Sequence, residues 1–181
     1  MKNLFNLSHY KLTSLDMGQL IPIGCHSVLP GDINLHWVDM LMRVSPLVTP
    51  VMHPVNASIH HFFIPWRILW DDFEDWITGG DDGNDASVFP QITLTPAEKS
   101  LADYLGFPIG TSITVSALKF RAMALLYNEY YRDQDLQSEV ALDTTSGADS
   151  TTNTSLLYRC WEKDLFTTAR DSELKGDDVT L

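Results

Sequence analysis

Short apolar runs broken by proline and glycine fill the first third of the chain, and windows of helical period fill the middle. Gln19 to Leu29 reads QLIPIGCHSVL, interrupted by Pro22 and Gly24, which predicts an edge or bent strand. Pro30-Gly31-Asp32 predicts a turn. Ile33, Leu35 and Trp37 then alternate with Asn34 and His36, the period of two of a half-buried strand, and Met40, Leu41 and Met42 extend the apolar character to both faces. Pro46, Pro50 and Pro54 each remove a backbone donor and exclude a helix through this stretch. A second strand, VNASIHHFFIP, follows; Ala57, Ile59, His61 and Phe63 form one face, Ser58, His60, Phe62 and Ile64 the other, and Pro65 ends it.

From Trp70 the period changes. Trp70, Phe73, Trp76 and Ile77 share one helical face, with Asp71, Asp72, Glu74 and Asp75 around them, and early carboxylates suit the positive end of a helix dipole. Gly79 predicts the stop, at the head of a flexible acidic GGDDGND loop. Thr95-Pro96-Ala97-Glu98 has the form of a capping box with proline at the first helical position. The helix it opens presents Leu101, Tyr104 and Leu105 and stops at Gly106. A longer helix is predicted after Ser116 through ALKFRAMALLYNEYYRDQ, with Phe120, Met123, Leu126/Tyr127 and Tyr130 as its apolar stripe. Residues 143–155, DTTSGADSTTNTS, are small and polar and predict an exposed loop. No internal repeat is found.

Composition divides the chain at the same place. Its 181 residues carry a formal charge of −12, with 44% hydrophobic residues, too apolar for a disordered tail and long enough for one globular domain. Residues 1–70 hold Lys2, Lys11, Arg43 and Arg67 against Asp16, Asp32 and Asp39, a net +1, which leaves −13 for residues 71–181. All six histidines (His9, His26, His36, His53, His60, His61) lie in the near-neutral part. An acidic half does not neutralise phosphate, which argues against direct DNA condensation there. Cys25 and Cys160 lack disulfide-scaffold density and metal-knuckle spacing, so two free thiols are expected. The N-terminus has no signal-peptide pattern and no run is apolar and long enough for a membrane span, so neither export nor anchoring is expected. The sequons at Asn6, Asn56 and Asn153 carry no weight without a secretory route.

Candidate chemistry is thin. His60 and His61 point to opposite faces of a strand and cannot share a metal without a bulge. Asp71, Asp72, Glu74 and Asp75 lack the ligand order of a calcium loop and read as a solvated helix face. No nucleophile elbow, phosphate-cradling glycine loop or activated cysteine is present, and the carboxylates cluster on loops and helix ends. Phe120, Tyr127, Tyr130 and Tyr131 could stack bases, but with only Lys119, Arg121 and Arg132 nearby they read as packing residues. No catalytic, cofactor-binding or metal-ligating residue and no cofactor is assigned, and the chain reads as a non-enzyme.

Six blocks in order carry a resemblance: NLSHYKLTSLDMGQLIPIGCHSVLPGD, MRVSPLVTPVMHPVN, HHFFIPWRILWDDFEDWITGG, SLADYLGFP, SALKFRAMALLYNEYYRDQ and YRCWEKDLFTTA. Together they resemble the major capsid protein of the Microviridae, especially its gokushovirus-like branch. The resemblance implies a mainly β protein with helical insertions, a viral β jelly roll of two packed antiparallel sheets. Residues 1–69 would be the N-terminal arm and first strands, and residues 70–181 the helix- and loop-rich acidic insertion region of the same domain. It implies a structural subunit that assembles with other copies into a small icosahedral shell around single-stranded DNA, located in the virion and assembled in the bacterial host cytoplasm. A small basic DNA-binding virion protein, an internal scaffolding protein and a DNA pilot protein are the further implied partners, with packaged DNA contacted at most indirectly and no membrane.

The family pattern continues past the last residue here, so an incomplete roll is expected, with unpaired strand edges and an uncovered apolar face. The competing reading is a jelly-roll carbohydrate- or ligand-binding domain.

Overall fold

The computed structural model describes residues 3–134, 136–160 and 166. Most of the last resemblance block, residues 158–169, lies outside them. The ordered elements are helix α1 (Trp66–Leu69), helix α2 (Phe73–Thr78), strand β1 (Gln91–Leu94), helix α3 (Leu101–Tyr104), strand β2 (Ile113–Ser116) and helix α4 (Leu118–Leu126), which continues as a π-helical turn over Tyr127–Tyr131. β1 and β2 pair antiparallel from Gln91 opposite Ser116 to Leu94 opposite Ile113, forming a two-stranded sheet.

The core has two adjoining parts, both built on α4. Ile92 of β1, Leu101 and Ala102 of α3, Ala117 and Phe120 bury against one another, with Phe107 stacked on Phe120 at 5.9 Å between ring centroids. Leu69, Trp70 and Leu118 form the second part, joined by Ile64, Phe73 and Phe89. Each large apolar side chain so buried contributes about 1.5–3 kcal/mol.

Helix ends follow local chemistry. Gly79 stops α2 in the left-handed region at φ 88°, its N–H bonded to the Asp75 carbonyl. Gly106, at φ 90°, stops α3, and the N–H of Phe107 returns to the Ala102 carbonyl at 3.1 Å, which swings Phe107 into the core. The start of α3 corrects the sequence reading. The Thr95–Glu98 box does not open the helix; Lys99 takes φ 57°, which no α-helix accommodates, and Ser100 becomes the cap, accepting from the Asp103 N–H.

The larger correction concerns the N-terminal strands. Residues 19–29, 33–37 and 57–64 form no strand, and the sheet that exists lies in the region read as insertion. A β-strand is stabilised by a neighbour's backbone, and the described residues offer these segments none beyond one bridge between Gln19 and Tyr158. What is shown is a small antiparallel sheet with few helices, consistent with a capsid domain.

Candidate functional site

Two features stand out, one closed and one open. The closed one is Arg121. The period of α4 turns Ala117, Phe120, Arg121 and Ala124 inward together, so a guanidinium enters the core fully buried. Every guanidinium nitrogen finds a partner: Nε donates to Asp149 Oδ2 at 2.9 Å, one terminal nitrogen to the Leu69 carbonyl at 3.0 Å, and the other to the Thr145 carbonyl at 2.8 Å.

Asp149 completes the arrangement by accepting also from the Thr152 hydroxyl at 2.6 Å and from the N–H groups of Thr151 and Thr152. Burial works to raise its carboxyl, but the Thr152 bonds and then the Arg121 guanidinium outweigh that and hold it below the ordinary carboxylate value. Bonds from the backbone and hydroxyl of Thr145 lower Asp143 in the same way.

This pair changes the reading of residues 143–155. Expected as an exposed loop, they are a loop with exposed residues, but Asp149 and Thr152 are buried and the segment bonds to the core elements. The Asp71 N–H bonds to the Thr144 carbonyl, the Thr144 hydroxyl to Asp71, and the Trp70 indole N–H donates at 2.7 Å to Ser146, which donates on to Asp72. Asp71 and Asp72, read as part of a solvated helix face, thus serve as anchors for the loop. Gln91 holds it from the other side, donating to the Gly147 carbonyl and accepting from the Asp149 N–H. Small polar residues fit here because each carries a donor or acceptor close to the backbone.

The open feature is the arm, residues 3–63. Its large apolar side chains face solvent: Leu35 is 94% exposed, Trp37 87%, Leu41 97% and Phe63 76%. The chain's accessible surface is 14859 Å² at 20.4 kDa. A folded monomer of that mass presents roughly 8800 Å².

The arm is pinned at both roots. Near its start Lys11 donates to the carbonyls of Tyr104 (2.6 Å) and Pro22 (2.8 Å), and the Tyr104 hydroxyl donates to the Ser14 carbonyl. Burial lowers the Lys11 ammonium below its usual value, and Asp103 opposes this. The Leu20 N–H donates to Leu157 and the Arg159 N–H to Gly18. At the far root the π-helical turn presents Tyr130 to Phe62, at 4.9 Å between centroids, and Tyr131 to His60. Burial raises the Tyr131 phenol. Between the roots, residues 23–59 project without ladder bonds.

His60 and His61 have separate partners, although residues 57–64 form no strand. His60 Nδ1 meets the Tyr131 hydroxyl at 2.6 Å, while His61 Nδ1 meets His36 Nε2 at 3.0 Å. The aromatic residues of the long helix also divide: Phe120 and Tyr127 are buried, whereas Tyr130 is exposed and reaches the arm. Cys25 and Cys160 are free thiols. Sequence reading missed Arg121 and Asp149; the signal available was a basic residue at inward helical spacing from Ala117 and Ala124.

The sequence matches the family described as capsid protein (F protein) over residues 1–180. It is 34% identical to capsid protein VP1 of Chlamydia phage 1, covering 99% of this chain and 35% of that protein. It is 31% identical to capsid protein VP1 of Bdellovibrio phage phiMH2K, again over 99% of this chain and 35% of that protein. The similarity to capsid protein VP1 of Spiroplasma virus 4 is 31% over 80% of this chain and 28% of that protein. The chain therefore spans about a third of the length of these relatives.

Proposed function

The chain belongs to the capsid protein (F protein) family, and from that membership we propose that it is a structural shell subunit of a small icosahedral single-stranded DNA bacteriophage, whose projecting arm is covered by other polypeptide on assembly. The observation that carries this reading is the arm itself. Exposed apolar area beyond a few hundred Å² marks an interaction surface in a soluble protein. Here exposed large apolar side chains recur from Ile23 to Val55, on a segment held at both ends by hydrogen bonds.

Residues 19–29, 33–37 and 57–64 read as strands in the sequence and, among the described residues, pair with no strand beyond the Gln19–Tyr158 bridge, so the same covering would satisfy backbone and side chains together. The jelly roll belongs to this proposal: the arm supplies strands that pair only with polypeptide outside this chain. So do the virion location, assembly in the host cytoplasm, the icosahedral contacts with other copies, and the basic DNA-binding, scaffolding and pilot proteins as further partners. The −13 charge of residues 71–181 favours leaving DNA neutralisation to such a basic partner.

Sedimentation and electron microscopy of the purified chain test the reading. Concentration-dependent association into sheets or shells is expected. A strictly monomeric chain with cooperative unfolding at high concentration would overturn it, and saturable glycan binding by that monomer would favour the ligand-binding alternative.

A further inference from the structure

The histidines of the arm are not explained by shell building. His36 and His61 are 25 residues apart in sequence, yet Nε2 of the first and Nδ1 of the second stand 3.0 Å apart, with ring centroids at 4.5 Å and planes inclined by 56°. Both rings are exposed. Two imidazole nitrogens bound to one tetrahedral Zn²⁺ at about 2.0–2.1 Å each stand roughly 3.3 Å apart. The observed separation is within a few tenths of an ångström of that bite.

We propose that His36 and His61 form a two-imidazole chelate for a divalent transition-metal ion of the zinc, nickel or copper class. Imidazole suits these ions, and water would fill the remaining positions. At present one ring donates a proton to the other across the gap. On binding, the donating ring moves that proton to its second nitrogen, and both facing nitrogens present lone pairs to the ion.

The pairing is selective within the arm. His60 turns the other way, and its Nδ1 is engaged by Tyr131. His9 and His26 meet edge to face at 5.1 Å between centroids, and His9 Nδ1 is 3.0 Å from the Leu7 carbonyl. An ion held by His36 and His61 closes residues 36–61 into a loop, removing conformational freedom from the middle of the projecting segment. The proposal does not depend on the capsid reading.

Titration of the purified chain with Zn²⁺ by calorimetry at pH 7.5 tests it, alongside H36A, H61A, H60A and H9A. One saturable site is expected, weakened about tenfold or more in H36A and H61A and unchanged in H60A and H9A. H36Q and H61Q keep a polar side chain of similar reach and should lose zinc equally, which separates ligation from any effect on arm structure. Absence of saturable binding, equal binding by all variants, or equal losses in H60A and H9A would each overturn the proposal.

Discussion

Trp37 and Trp70 are the same side chain in one chain, the first 87% exposed and the second fully buried. Leu41 and Leu101 repeat the contrast at 97% and 1%. Hydrophobicity does not separate the two regions. Partners do. Residues 64–156 supply their own: α4 places Phe120 and Leu118 against Leu101, Ile92 and Trp70, and residues 143–152 close the polar gaps around Arg121. Residues 3–63 carry large apolar side chains but, among the described residues, no second layer to bury them against. Burial thus follows the availability of a complementary surface, and among the described residues the arm meets none.

Asp149→Ala should give the largest effect on the closed region. It leaves the Arg121 guanidinium buried without its counter-charge and should cost about 3–5 kcal/mol in chemical denaturation. A loss near zero would mean that the loop is not held through this pair.

Acid should act on the same bond. Asp149 and Asp143 are held below the ordinary carboxylate value, so the folded state binds fewer protons than the unfolded state near that value. Their contribution is fully present above about pH 4 and is lost as pH falls through the lowered folded values. Denaturation followed from pH 7 to pH 2 should therefore show a stability loss at the acid end that is smaller in Asp149→Ala.

Leu101→Ala should cost about 2–5 kcal/mol through the cavity it opens between α3 and α4. Its counterpart Leu41→Ala should change the stability of the dilute chain by less than about 0.5 kcal/mol, yet weaken association. Equal thermal shifts in the two variants would erase the distinction between the regions.

What was legible in the sequence follows the same division. The α2 stop at Gly79, the α3 stop at Gly106 and the start of the helix after Ser116 were readable because glycine conformation and helical period are local properties, whereas that helix ends in the π-helical turn at Tyr131, short of the Gln134 that the sequence reading included. Ser100 displaced Thr95 as cap because Lys99 breaks the backbone between them. The strands QITL and ITVS are four residues each, too short for alternation to stand out from their surroundings.

Arg121 was hidden because a charged residue reads as surface until its three partners, Leu69, Thr145 and Asp149, are brought together by the fold. The loop from Asp143 was misread for the same reason, since its hydroxyls read as solvent-facing when their partners at Trp70, Asp71 and Asp72 are distant in sequence. The alternation of residues 33–37 was legible, but alternation alone does not supply a partner strand.

The central claim, that the arm is an apolar surface covered only on assembly, is tested most directly by amide hydrogen exchange over residues 23–59, compared between the dilute chain and its assembled form. Exchange close to the unprotected rate in the dilute chain, slowing by orders of magnitude on assembly, is the expected result. Protection already present in the dilute chain, or no change on assembly, would contradict it.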